Sequence, residues 1–250
     1  MTMSRKQPSA PFVTVTIYST GPEDKTFDAT KGILGEIGSS TGIVSVVSVE
    51  NSSIGRPLDA ANAGNMRAES VTEDFRIVGE LFQLPRMGPA YCEYARRWSD
   101  QERCPVAVNM SGEELGMPIE YLDKKQIALA NKRQEFAKKL LRRMSTISGV
   151  LYGSIDIEQA VPTPSALDSV PLPLDLYISN LLLDPEVLEK LGLLYGAVNG
   201  TQTSWEDGIF YSPFSSIRLR DPRGRRNVTH LAELITPVVA DAVHRWLNRD

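Results

Sequence analysis

The stretch Gly149-Val150-Leu151-Tyr152-Gly153-Ser154-Ile155-Asp156-Ile157-Glu158 alternates with period two. Leu151, Gly153, Ile155 and Ile157 fall to one side, and Tyr152, Ser154, Asp156 and Glu158 to the other. Side chains of an extended chain change face at every step, so the pattern predicts a strand with one face in the core. Pro162, Pro164, Pro171 and Pro173 crowd the connection that follows. Proline fixes φ and lacks a ladder donor, so this connection is expected to be a rigid, extended surface segment. From Leu174 to Leu183 the chain is apolar again. Leu174, Leu176, Ile178 and Asn180 alternate with Asp175, Tyr177 and Ser179, which predicts a second strand beside or near the first.

A chain of 250 residues builds one large domain or two small ones. Its 42% apolar and 23% charged residues are ordinary for a globular protein. The net charge of −4 argues against bulk nucleic-acid binding and leaves room for local basic patches. Cys92 and Cys104 are too far apart for a paired-cysteine redox or zinc motif and are expected to be reduced and structural. Residues 1–11 are polar, are expected to form a disordered tail and carry no secretory pattern, and no run approaches the roughly 20 apolar residues of a membrane span. A cytoplasmic protein that avoids membranes is expected.

Toward the N-terminus, Phe12 to Ser19 reads as a strand with Val13, Val15 and Ile17 on one face. A short helix over Asp28–Ile37 and a strand over Ile43–Glu50 follow, then a long loop over Asn51–Ser70. Phe75 to Leu84 favours strand, and Ala90 to Arg97 favours helix through Tyr91, Tyr94, Ala95 and Trp98. Pro105 to Met110 is a short strand. Ser111 and Glu114 form a capping-box pattern, and Pro118 suits a first helical turn. The long helix predicted from there to Met144 turns Leu122, Leu129, Phe136, Leu140 and Met144 inward. Its other faces are basic, which suits a solvated surface or contact with phosphate or an acidic partner.

Asp184-Pro185 opens a helix to Leu191, and Leu193 to Val198 reads as strand. Asn199-Gly200 and Asp207-Gly208 predict turns of an antiparallel meander through Thr201–Trp205 and Ile209–Phe214. Asn227 is expected to cap a last helix with Leu231, Leu234, Val238, Ala242 and Trp246 inward, kinked or split at Pro237. The elements together predict an α+β fold with a mixed or antiparallel sheet and packed helices. Residues 12–250 are expected to form one domain. It allows two related halves, 12–110 and 149–250, joined by the helix at 111–145.

Asp156 and Glu158, two apart on one strand, would stand about 7 Å apart, a spacing that suits a shared divalent metal or an acidic contact patch. Arg218, Arg220, Arg223, Arg225 and Arg226 surround Asp221 in a turn-rich segment whose guanidinium groups match phosphate geometry. His230 and His244 would lie about 21 Å apart on one helix and cannot share a proton or a metal. No nucleophile elbow, phosphate loop or dinucleotide fingerprint occurs. No cofactor or metal is expected, and binding is favoured over catalysis.

The run Leu151–Glu158, the prolines after it, Leu176-Tyr177-Ile178-Ser179 and Asp207-Gly208-Ile209-Phe210 resemble immunity proteins of bacterial polymorphic toxin systems. The resemblance covers the chain from Leu151 onward. It implies a non-enzymatic cytoplasmic protein that binds and inhibits a cognate toxin, with no nucleic acid as partner. For a nuclease toxin with a basic cleft, Asp156, Glu158, Glu206 and Asp207 would supply the complementary charge, and Tyr152 and Trp205 the aromatic anchors. The rival expectation is a metal-dependent enzyme on a phosphorylated or nucleic-acid substrate. It would bind metal through Asp156 and Glu158 and phosphate through the five arginines. A scaffold role is the third.

Overall fold

Val13, Val15 and Ile17 are fully buried on one face of β1 (Phe12–Ser19), as their alternation requires. The computed structural model describes residues 11–37, 43–45, 68–71, 75–97, 102–116, 121–213 and 228–249. The expected tail up to residue 10, the loop over 51–67, Trp98, Pro118, Asn227 and all five clustered arginines lie outside them. After β1 come α1 (Glu23–Ile37), β2 (Ile43–Ser45), β3 (Ala68–Val71), β4 (Phe75–Leu84), β5 (Gly88–Arg97) and β6 (Val106–Ser111). A one-turn α2 (Glu113–Gly116) and the long α3 (Lys124–Met144) lead to β7 (Val150–Ile157) and β8 (Asp175–Ser179). The chain closes with α4 (Pro185–Ala197), β9 (Thr201–Trp205), β10 (Gly208–Ser212) and α5 (Thr229–Leu247).

The strands form one sheet in the order β2-β4-β5-β6-β1-β7-β8-β10-β9, with β3 also paired to β4, and every ladder is antiparallel. The fold is α+β. The two quoted stretches pair directly, Tyr152 opposite Ile178 and Ile155 opposite Asp175. On β7's other side lies β1, so β7 joins the N-terminal strands to the C-terminal ones. The two sheet halves differ in connectivity: α1 follows the first strand of one, whereas α4 follows the second strand of the other.

Helices cover both faces. On one, α1 and α3 pack over β1, β4, β5, β6 and β7, and Phe27, Leu34, Ala137, Leu140 and Leu141 meet Val13, Val15, Ile17 and Val108. On the other, α4 and α5 bury Leu191, Tyr195, Ile235 and Val239 against Tyr152, Leu176, Ile178 and Tyr211. One expectation about β7 fails at a bulge. The β1–β7 register slips between Tyr18 and Ser19, so Leu151 joins Tyr152 in the second cluster while Ile155 stays in the first.

Further expectations change in the fold. Ala90–Arg97 is strand β5, not helix; its hairpin with β4 turns at Arg86 and Gly88, both at positive φ. The tyrosines spaced like a helical stripe therefore point to opposite faces. Leu193–Val198 continues α4 instead of forming a strand, and Asn199, at φ 56, ends the helix. Gly200 N–H donates to the Tyr195 carbonyl at 2.8 Å, so Asn-Gly acts as a helix stop and not as a hairpin. The long helix begins at Asp123, whose carboxylate accepts from Lys125 and Gln126 N–H while Gln126 reciprocates, in place of the Ser111 box. The last helix stays continuous through Pro237 and buries Leu231, Ile235, Val239 and Val243, leaving Leu234 54% exposed. Residues 68–70 of the expected loop belong to β3.

Candidate functional site

The residues expected to form one acidic patch stand in different places. Asp156, one residue before the end of β7, is half-buried, its Oδ1 accepting from Ile157 N–H at 2.7 Å. Glu158 lies past the strand at φ 59, with its N–H donating to the Phe12 carbonyl. The left-handed turn removes it from the strand's alternation, so the two carboxylates do not share a strand face. Glu206 and Asp207 are exposed at the tip of the β9–β10 hairpin. By register Asp207 is level with Asn180 and Asp156 with Leu174, a separation of roughly 20 Å along the strands.

Neither expected aromatic anchor is at the surface. Tyr152 is fully buried; it stacks on Tyr18 at 5.1 Å and donates to the Pro162 carbonyl. Its alternation with Leu151 had set it on the polar side of β7, but α5 and the proline segment cover that side. Trp205 is 9% exposed and stacks between Tyr177 and Phe210, at 5.4 and 5.0 Å. This stack is what fixes the hairpin. The Tyr177 hydroxyl donates to the Asp207 carbonyl at 2.9 Å, and Asn180 N–H donates to the same oxygen at 2.8 Å. The turn residues are Glu206 and Asp207, and Gly208 is the first residue of β10. A Cβ there would overlap the Ile178 carbonyl and the Tyr177 ring, so glycine is needed for close approach. Beside this tip Leu181 is 50% exposed. The result is two exposed carboxylates on a braced turn, with Leu181 next in the chain to Asn180, which holds the Asp207 carbonyl.

A second polar arrangement was not legible in the sequence. Tyr91, Asn109, Thr14 and Asp156 are successive cross-strand partners on β5, β6, β1 and β7, forming one row across four strands. The Thr14 hydroxyl donates to Asn109 Oδ1 at 2.9 Å, and Asn109 Nδ2 donates to Glu93 Oε1 at 2.8 Å. Burial drives the Glu93 carboxyl up to about 7, against the opposing pull of Asn109 and the Tyr91 hydroxyl. Gly79 lies under the Tyr91 ring, which a Cβ would displace. The four partners come from four different strands, and only the register aligns them.

Cys92 and Cys104 are buried and neither is in a disulfide, and burial pushes the Cys92 thiol well up, which holds it as the unreactive thiol. His230 pairs with Glu233 at 3.1 Å, and His244 Nε2 lies 3.3 Å from the Pro164 carbonyl. Among the described residues no three His, Cys, Asp or Glu side chains are grouped to hold a metal, and no helix is long and apolar enough to cross a membrane. No protein-family model, curated protein or solved structure matches this chain.

Proposed function

We propose that this chain is a non-enzymatic cytoplasmic immunity protein that binds a cognate bacterial toxin and blocks a basic cleft, as in a nuclease, with the β9–β10 tip. The observation that carries the reading is the braced acidic turn: Glu206 and Asp207 exposed over the Tyr177–Trp205–Phe210 stack. A turn already fixed loses little conformational freedom on binding. Two carboxylates at its end steer association with a basic surface, and Leu181 offers apolar area next to them. Asp156, half-buried and far along the strands, and the core residues Tyr152 and Trp205 are not part of this contact.

The test begins with a tagged pull-down from the native cell and mass spectrometry. A single stoichiometric partner carrying a toxin domain is expected. Glu206→Lys with Asp207→Lys should then weaken its binding by about a hundredfold or more, mainly through slower association. A partner held equally by the double variant removes the tip from the interface. A chain that captures no toxin sinks the proposal.

A further inference from the structure

The side of α3 turned away from the sheet is rich in cations. The helix carries eight cations and one carboxylate in a chain whose net charge is −4. Three of the cations are engaged: Arg133 with Glu114, Arg143 with Glu36, and Lys138, whose Nζ sits 5.2 Å from the Phe210 ring centre. The other five, Lys124, Lys125, Lys132, Lys139 and Arg142, are exposed and form no ion pair among the described residues. Helical spacing places all five on the side opposite Ala130, Ala137, Leu140, Leu141 and Met144, which hold the helix to the sheet. They spread along about 27 Å of the helix, and the exposed Glu135 lies among them, three residues after Lys132 and four before Lys139. At its N-terminal end Tyr121 is 69% exposed.

We infer that this stripe docks single-stranded nucleic acid. A phosphodiester chain is a linear polyanion and needs only a line of cations. A protein partner would want a central apolar or aromatic anchor, and the exposed side chains between these cations are Ala128, Asn131 and Glu135. Tyr121 supplies an open ring at the end of the line, on which an unpaired base stacks and a duplex base pair does not. The overall negative charge does not prevent this, because the cations are collected on one helix. The inference is independent of the toxin-binding tip, which lies at the β9–β10 turn.

The experiment is fluorescence anisotropy of the full chain with a labelled oligothymidylate of about 15 nucleotides. Binding is expected at about 50 mM salt, falling about a hundredfold by about 200 mM if five phosphates are neutralised at a slope of about −0.7 each. The triple variant Lys132→Glu, Lys139→Glu, Arg142→Glu should lose binding while its melting temperature and helix signal hold. The matching glutamine variant should weaken it, which guards against a folding defect. Tyr121→Ala should cost about tenfold. No binding at the lower salt overturns the inference, as does undiminished binding by the triple variant. Binding to phosphatidylglycerol vesicles without binding to the oligonucleotide overturns it too, and assigns the stripe to a lipid surface.

Discussion

Glu93 is a carboxylate whose chemistry departs far from its ordinary range. Its carboxyl titrates at about 7 in the fold, against 4.5 when free of it, because burial disfavours the charge. Between those values the folded chain keeps a proton that the unfolded chain has released. Stability therefore falls as pH rises from about 4.5 to about 7 and levels off above. Glu93→Gln removes the charge while its amide oxygen can still accept from Asn109 Nδ2. Urea titrations should show the variant more stable at about pH 8 by roughly 2 kcal/mol, with the difference shrinking toward about pH 5. An equal difference at both pH values would remove Glu93 as the cause. Nothing local marked this residue, since residues 90–97 also read as a helix through Tyr91, Tyr94, Ala95 and Trp98. Asn109 and Thr14 reach it only through the β5–β6 and β6–β1 ladders.

At the scale of elements, Asn199-Gly200 shows how one dipeptide serves two ends. The residues demand a backbone that accepts positive φ, which a tight hairpin and a helix stop both provide. Tertiary packing chose the helix stop, because Leu191 and Tyr195 bury against the second cluster and carry α4 on to Ala197. Asn199→Ala should destabilise the fold by about 1 kcal/mol in denaturant unfolding, and Asn199→Gly should not. Equal losses in both would mean that the Asn199 side chain, not its φ, matters. The last helix gives a related case. Its apolar residues support two inward faces, one through Leu234 and Val238 and one through Ile235 and Val239. Contact with α4 and the proline segment selects the second. Pro237 is exposed and leaves the helix continuous, while Thr236 beside it accepts from Leu172 N–H and donates to the Ala232 carbonyl.

Across the whole molecule, β1 and β7 make the two sheet halves one structure. Their ladder runs from Val13–Ile157 to Ser19–Val150, and Tyr18 stacks on Tyr152 across it. Parting the halves would expose Leu151 and Tyr152 and open a central edge. Thermal unfolding of the ordered fold should accordingly give one transition with matching calorimetric and van't Hoff enthalpies; two separated transitions would show that the halves fold on their own. The alternation in β1, β7 and β8, the acidic turn before Gly208, the basic composition of α3 and the α+β class were all written in local pattern, because strand period, cap chemistry and charge act within a few residues. Helix or strand for residues 90–97 and 193–198, the inward face of α5, the burial of Tyr152 and Trp205, and the separation of Asp156 from Asp207 were settled by tertiary structure. These depend on which strands neighbour one another and at what register, and the pairings join residues that are distant in the chain, as Thr14 and Asn109 are.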